Sequence, residues 1–489
     1  MATSLGIMSE LIFGLFGLAF VLRLEHSEVL TRIVQDLGKP TPSSLTDAGN
    51  ALLSKGFLTP FLAFMLPAGV LTIIVVILGS GFVYSAEFGS YKRALEGDRV
   101  NIPIVMMEFR KRWKPMAWTV FISYLLTLSP IILFGSAAAV VLSFGTEGLI
   151  LSAFFFLIGF LGVAIVSVLL IYCPVAVSYD GLSGLRAIKK SICTFIKCPG
   201  ASLIYSVVYI LLSAVITAAA GMVPQVSLPL ASLVSVGVLI LAVPVLHLSK
   251  TSLYKQITMG PQEDFVLIPR FERMFDVSLA RMIWARFRAG LTEIRQYALN
   301  KGNVVYHLAA VFSMVIGLIV GVTLGRGGID QLAYDLGYVP GRINPLVTNS
   351  IPISLSVYIF LHNWQVSLGT ALSGVFISVF PIAMLFLNGV IIGIFSTLVP
   401  NIPMLASALL PHGIIEIPSF IIAGSAGLKL GIAFVRMIKN QGKQPYQEAL
   451  GIVATQTVYL VIGLALLFLI AGLIEGNITP LIMKIAGWK

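Results

Sequence analysis

Glu416 and His412 are the residues of this sequence whose types and spacing are best suited to chemistry. They stand one i, i+4 step apart, so a helix would project both from one face. The stretch that holds them, 405–435, is otherwise apolar. Glu416 falls roughly 16 Å along it at about 1.5 Å per residue. An ionised carboxylate at such depth in a bilayer costs about 3 kcal/mol or more on insertion scales. An acid placed there is protonated, paired or turned toward a polar cavity. Functionally the pair reads as a proton relay or as a cation or substrate site. Structurally it reads as a polar clamp between helices. His362, Asn363 and Gln365 lie in a second apolar stretch and Asn388 in a third. Convergence of these residues on His412 and Glu416 would enclose a polar centre. His362, His412 and Glu416 would then form a two-histidine, one-carboxylate set of the kind that metals accept. No HExxH spacing supports this, so neither a metal nor another cofactor is expected. Asparagine in a membrane helix more commonly bridges to a neighbour, at less than about 1 kcal/mol on average.

The elements that must position these groups follow from composition. The chain has 489 residues, 57% of them hydrophobic and 11% charged. A soluble domain carries about a quarter charged residues, so this is expected to be an all-α, polytopic membrane bundle. Apolar stretches at 5–24, 61–86, 117–143, 149–178, 200–223, 229–249, 303–325, 352–373, 377–399, 405–435 and 449–474 give about eleven spans. The first could instead lie in the interface. The stretch 351–399 is read as two crossings broken between Gly369 and Ser378, with a re-entrant loop as the competitor. Pro411 suits a helix start, which would break the 405–435 span near Leu410 and bring a helix N-terminus to Glu416. Lys429 is too far along that helix to reach Glu416 and is expected to snorkel toward Arg436.

The basic residues fix an expected orientation. With the N-terminus inside, the segments 87–116, 179–199, 250–302 and 436–448 hold 23 Lys/Arg and the external ones 8. That asymmetry favours a cytoplasmic N-terminus and an external C-terminus in the cell membrane. It also accounts for the net charge of +11 without nucleic acid. The expected organisation is a six-span domain over 1–249, a cytoplasmic basic linker over 250–302 and a five-span domain over 303–489. Within the linker, Leu279, Ile283, Phe287, Leu291, Ile294 and Ala298 recur at helical spacing among Arg281, Arg286, Arg288 and Arg295. This is a basic amphipathic helix, either lying on the inner leaflet or packed on the bundle.

Glycines mark the expected packing. Gly317, Gly321 and Gly325 share one helix face, as do Gly389 and Gly393, and Ala423, Gly427 and Gly431. Such stripes let helix backbones approach closely, within one subunit or between subunits. Cys173, Cys193 and Cys198 have neither CxxC nor metal spacing and are read as bystanders. His247 and His307 are expected at helix interfaces, and Trp113, Trp118 and Trp488 in the interfacial aromatic belt. Phosphate-binding, dinucleotide and serine-elbow motifs are absent.

Three strings carry a resemblance. They are Leu387-Asn388-Gly389 with Gly393, Pro411-His412-Gly413-Ile414-Ile415-Glu416-Ile417-Pro418, and Ala423-Gly424-Ser425-Ala426-Gly427-Leu428-Lys429-Leu430-Gly431. With His362-Asn363 upstream, residues of about 303–480 resemble the stage II sporulation protein M family. His362 stands where that family often has asparagine. The first half more weakly resembles membrane domains of the glycerophosphodiester-phosphodiesterase type, through Gly81 to Leu95, Tyr172-Cys173-Pro174 and Arg186-Ala187-Ile188-Lys189-Lys190-Ser191. No phosphodiesterase catalytic barrel accompanies them. The family resemblance implies five spans and a scaffold in an envelope-remodelling complex.

The expected function is therefore a non-enzymatic membrane scaffold. Its partners would be the lipid bilayer, other membrane or envelope proteins and, as an open alternative, further copies of itself. A transporter using Glu416, His412, Asn363 and Asn388 is the first rival. An intramembrane metal-dependent hydrolase using His362, His412 and Glu416 is the second.

Overall fold

The computed structural model describes residues 16–17, 54–98, 100, 102–142, 146–226, 242–260, 278–326, 352–375, 378–440 and 443–488. All regular structure among them is helical. Among the described residues seven helices are long and apolar enough to cross a membrane, or eight if Leu185–Lys197 and Pro199–Leu212, bent by 106°, count as one span. The protein is thus a multi-pass helical membrane protein. The expected spans 5–24 and most of 229–249 lie outside the described residues, as do most of the segments 25–60 and 326–350. Contacts divide the chain into two compact units, Ile77–Leu279 and Met1–Val76 with Ala280–Lys489. The segment expected as one linker, 250–302, is shared between them.

α1 (Lys55–Leu95), which belongs to the Ile77–Leu279 unit from Ile77 onward, and α2 (Ile102–Leu142) of that unit are each 41 residues long. The basic segment 87–116, expected as a loop, is therefore mostly helix, with a turn around Gly97 among its described residues. Its charges explain why the helices persist. Glu108 of α2 is buried and takes Arg93 of α1 at 3.0 Å and Arg112 at 3.7 Å. A charge-assisted pair of this kind holds two helix ends together where water would otherwise fray them. There follow α3 (Thr146–Leu169), α4 (Cys173–Asp180), α5 (Leu185–Lys197), α6 (Pro199–Val226) and α7 (Val243–Met259). Phe88, Met116, Tyr172, Val175, Ala176 and Tyr254 form the core.

The other unit contains α8 (Ser278–Leu299), α9 (Val304–Leu324), α10 (Pro352–Ser373), α11 (Val379–Leu398), α12 (Ile402–Lys439), α13 (Gln444–Leu473), a π-helical turn (Ile474–Ile478) and α14 (Thr479–Ile485). The stretch 351–399 forms two helices, α10 and α11, that part within the expected break. Gly317 and Gly321 of α9 face α11 so closely that a methyl group on either would overlap the carbonyl oxygens of Phe386 and Val390. Gly389 and Gly393 return the contact against the carbonyls of Met314 and Leu318. Ser313 ties the same pair by donating to the Ile382 carbonyl at 2.7 Å. On α12, a methyl group on Gly427 or Gly431 would come within 2.7 Å of the carbonyls of Thr370 and Gly374. The glycine stripes thus lie within one subunit.

The amphipathic helix α8 packs on this bundle. Gly290 meets Gly463 of α13 backbone to backbone, and Arg286 donates to the Tyr459 hydroxyl. Ile294 and Tyr297 join the core formed by Phe420, Leu460, Leu464 and Phe468. Lys429, expected to snorkel toward Arg436 and the cytoplasmic face, places its ammonium 5.3 Å from the centre of the ring of Tyr297, in the segment expected to be cytoplasmic. An aromatic face offers a buried cation partial compensation where water is excluded.

Candidate functional site

α12 is one uninterrupted helix of 38 residues with Pro411 and Pro418 inside it. The expected break near Leu410 is absent. The helix begins at Asn401, whose side chain accepts from the Met404 amide at 2.9 Å. Glu416 therefore does not stand at the N-terminus of its own helix. A proline in a membrane helix is tolerated where neighbouring groups hold the local backbone. Here Trp488 folds back, donating toward the Met404 carbonyl at 3.3 Å and the Ser407 hydroxyl at 3.2 Å. Trp488, expected in an interfacial belt, is buried for this reason.

His412 and Glu416 share one face of α12, and that face meets the end of α13. His412 Nε2 lies 3.9 Å from Glu475 Oε2, and Nδ1 lies 3.3 Å from Thr479 Oγ1. Glu475 belongs to the π-helical turn. A π turn widens the helix locally and re-aims a side chain, which is why such turns recur at functional sites. One ligand atom each of His412, Glu416 and Glu475 falls within 4.8 Å of the others. Asn363 of α10 lies close to the Glu416 carboxyl. Asn477 adds a link between the π turn and α10, donating to Ser356 at 2.9 Å. Three helices and the π turn are therefore joined through one hydrophilic knot.

The structure does not bring all the sequence candidates there. His362 follows Asn363 by one position in the reverse sense along α10, about 100° round the helix, and is exposed, stacking on Tyr358 at 6.0 Å. The residues whose ligand atoms meet there are His412, Glu416 and Glu475 rather than the expected set His362, His412 and Glu416. Asn388 sits on α11 beside the glycine seam, with no hydrogen-bond partner among the described residues. Glu475 was not anticipated, although an acid at the end of the apolar stretch 449–474 was its visible signal. A second pair also escaped the sequence reading. His247 Nδ1 lies 2.8 Å from Glu87 Oε1, in the Ile77–Leu279 unit.

The knot consists of two carboxyls, an imidazole, an amide and a hydroxyl. Such a set can share protons internally or hold a cation. In a low dielectric two nearby carboxylates do not both ionise without a counter-charge. Glu416 Oε2 is buried with no hydrogen-bond partner, so the knot retains one unused acceptor. The adjoining groove is walled by Leu410, Pro411, Ile414 and Ile482 and bears no titratable side chain.

The knot and the glycine seams fall in one segment. Residues 308–480 match the stage II sporulation protein M family. This segment includes α9 to α13 and the π turn. The chain is also similar to an uncharacterised protein of Methanocaldococcus jannaschii, 37% identical over 76 residues. That match covers 16% of this chain and about a third, 35%, of the relative. No solved structure matches.

Proposed function

We propose that the protein is a non-enzymatic membrane scaffold, with the stage II sporulation protein M-like segment as its rigid core. The observation that carries this reading is the interlocking of α9 with α11. Gly317 and Gly321 press on the backbone of one helix while Gly389 and Gly393 press on that of the other. Helices joined at backbone contact have no side-chain layer over which to slide. The knot adds a latch, because His412, Glu416, Glu475, Thr479 and Asn363 engage one another. In this reading the N-terminus is cytoplasmic and the C-terminus external, on the asymmetry of basic residues. The partners are other proteins of a membrane or envelope complex.

Reconstitution of the full chain in liposomes tests the proposal. The scaffold reading predicts proton and solute fluxes equal to those of protein-free vesicles. It also predicts that a defined complex from native membranes keeps its stoichiometry in a Glu416→Gln variant. A flux above background that vanishes in Glu416→Gln would replace the scaffold with a transporter.

That transporter reading is favoured by one observation, the unused Glu416 Oε2 beside a second carboxyl and an imidazole. In it the knot would bind a proton or a cation reversibly. It requires α12 and the π turn to separate, and the contacts of both with their neighbours oppose that.

A further inference from the structure

We propose that a cavity in the Ile77–Leu279 unit binds the oxyanion head of a membrane amphiphile, with Lys250 as counter-charge and Ser123 as a hydrogen-bonding group. The cavity measures about 290 Å³, and Tyr124, Tyr209, Ser123, His247 and Lys250 are among its walls. This lies just below the range of roughly 300–1,000 Å³ usual for small-molecule pockets, so it suits a head group rather than a whole lipid.

Lys250 carries the argument. It is only 8% exposed, and its ammonium stands 4.8 Å from the centre of the Phe88 ring. Among the described residues it has no hydrogen-bond acceptor and no carboxylate within ion-pairing distance. The nearby acid, Glu87, is engaged elsewhere. Its Oε1 accepts from the Tyr91 hydroxyl at 2.9 Å and faces His247 Nδ1 at 2.8 Å. Burying a cation without an acceptor is strongly unfavourable. An oxyanion in the cavity would supply one. Ser123 Oγ, on the same wall, is independently a buried polar atom outside hydrogen-bond geometry with any partner, its near neighbour being the weakly bonding Cys173 thiol.

The surroundings specify the rest of the ligand. Tyr124 and Tyr209 line the cavity and are also 39% and 37% exposed, so the cavity reaches the outer face between α2 and α6. The flanking residues Leu125, Leu128, Val208 and Leu211 are exposed and apolar. In a membrane protein that face meets acyl chains. A ligand with a charged head and an apolar tail satisfies both regions, whereas a free inorganic anion satisfies only the first.

Native mass spectrometry of the full chain from nanodiscs of equal phosphatidylcholine and phosphatidylglycerol tests the site. The expected result is one phosphatidylglycerol retained per chain, about tenfold over phosphatidylcholine. Lys250→Met should abolish that preference, while Lys250→Arg and the exposed-site control Lys197→Met should keep it. Added oleate separates the head groups: displacement assigns the site to any lipid oxyanion, and failure to displace assigns it to the phosphodiester. Equal retention of the two phospholipids by the wild-type chain would overturn the proposal without reliance on any variant. So would displacement by inorganic phosphate at the concentration of the lipid.

Discussion

His412 of α12 and Glu475 of the π turn face each other at 3.9 Å, although they come from separate helices. Their meeting converts two isolated polar side chains into one knot with Glu416, Thr479 and Asn363. The imidazole touches two partners, so its removal leaves both without it. His412→Ala is expected to destabilise the folded protein by about 1–3 kcal/mol, the penalty for orphaned buried polar groups. Unfolding in mixed detergent micelles measures this. Glu416→Gln keeps an acceptor for Asn363 and removes one of two carboxyls, so a change of about 1 kcal/mol or less is expected. A larger loss for the glutamine variant would mean that the ionised carboxylate itself holds the helices.

The glycine seam predicts a graded series. A methyl group at Gly317 or Gly389 would overlap a carbonyl oxygen of the facing helix, whereas one at Gly69 would meet nothing within 4 Å. Gly317→Ala and Gly389→Ala should each cost about 1–3 kcal/mol through overpacking. Gly69→Ala should be neutral or stabilising by up to about 1 kcal/mol from helix propensity. Thermal unfolding of the three variants in one detergent ranks them. Equal behaviour of all three would show that the α9–α11 contact does not depend on glycine at these positions.

Docking of α8 rests on the Gly290–Gly463 contact and on Arg286 with Tyr459. Gly463→Val should release this helix without unfolding the bundle. Hydrogen exchange should then quicken across 278–299, by about tenfold if 1.4 kcal/mol of docking is lost. Unchanged protection would mean that the helix is held by something other than this contact, such as a lipid surface.

The Glu87–His247 pair joins α1 to α7, and both side chains are largely buried. Removing one partner from such a pair leaves an uncompensated group. Glu87→Leu should leave His247 unpaired yet spare the buried carboxylate, at about 1–3 kcal/mol. His247→Leu leaves the buried acid with the Tyr91 hydroxyl as its remaining donor among the described residues and should cost more, up to about 3–5 kcal/mol. The difference between the two, measured by unfolding, is the informative quantity. The reverse order would show that the imidazole is the more costly group to leave unpaired.

What the sequence disclosed depended on the range of each signal. Membrane character, helical class and the glycine stripes are local and periodic, and they read directly. His412 and Glu416 were visible as a pair because four residues make one turn. Glu475 was not, since nothing in the chain states that the end of α13 lies against the middle of α12. His362 was misjudged for a geometric reason: adjacent helical residues point about 100° apart, so Asn363 turns inward and His362 outward. Pro411 reads as a helix start because its missing amide hydrogen is costless there. The fold instead keeps α12 continuous and packs Trp488 against the preceding turn. The charges of 87–116 suggested a loop, but Glu108 neutralises Arg93 and extends both helices.

The knot of the scaffold reading is closed, sealed from water within a rigid bundle even though Glu416 Oε2 is left without a hydrogen-bond partner. Thr479 is 4% exposed and contacts His412, and cysteine replaces threonine with little change in volume. Labelling of Thr479→Cys by a membrane-impermeant thiol reagent, in a chain whose three native cysteines are replaced, tests the claim from each side of sealed vesicles. A closed knot predicts no labelling from either side while the protein remains folded. Rapid labelling from one side, or from each side under different ionic conditions, would contradict it and mark an aqueous pathway instead.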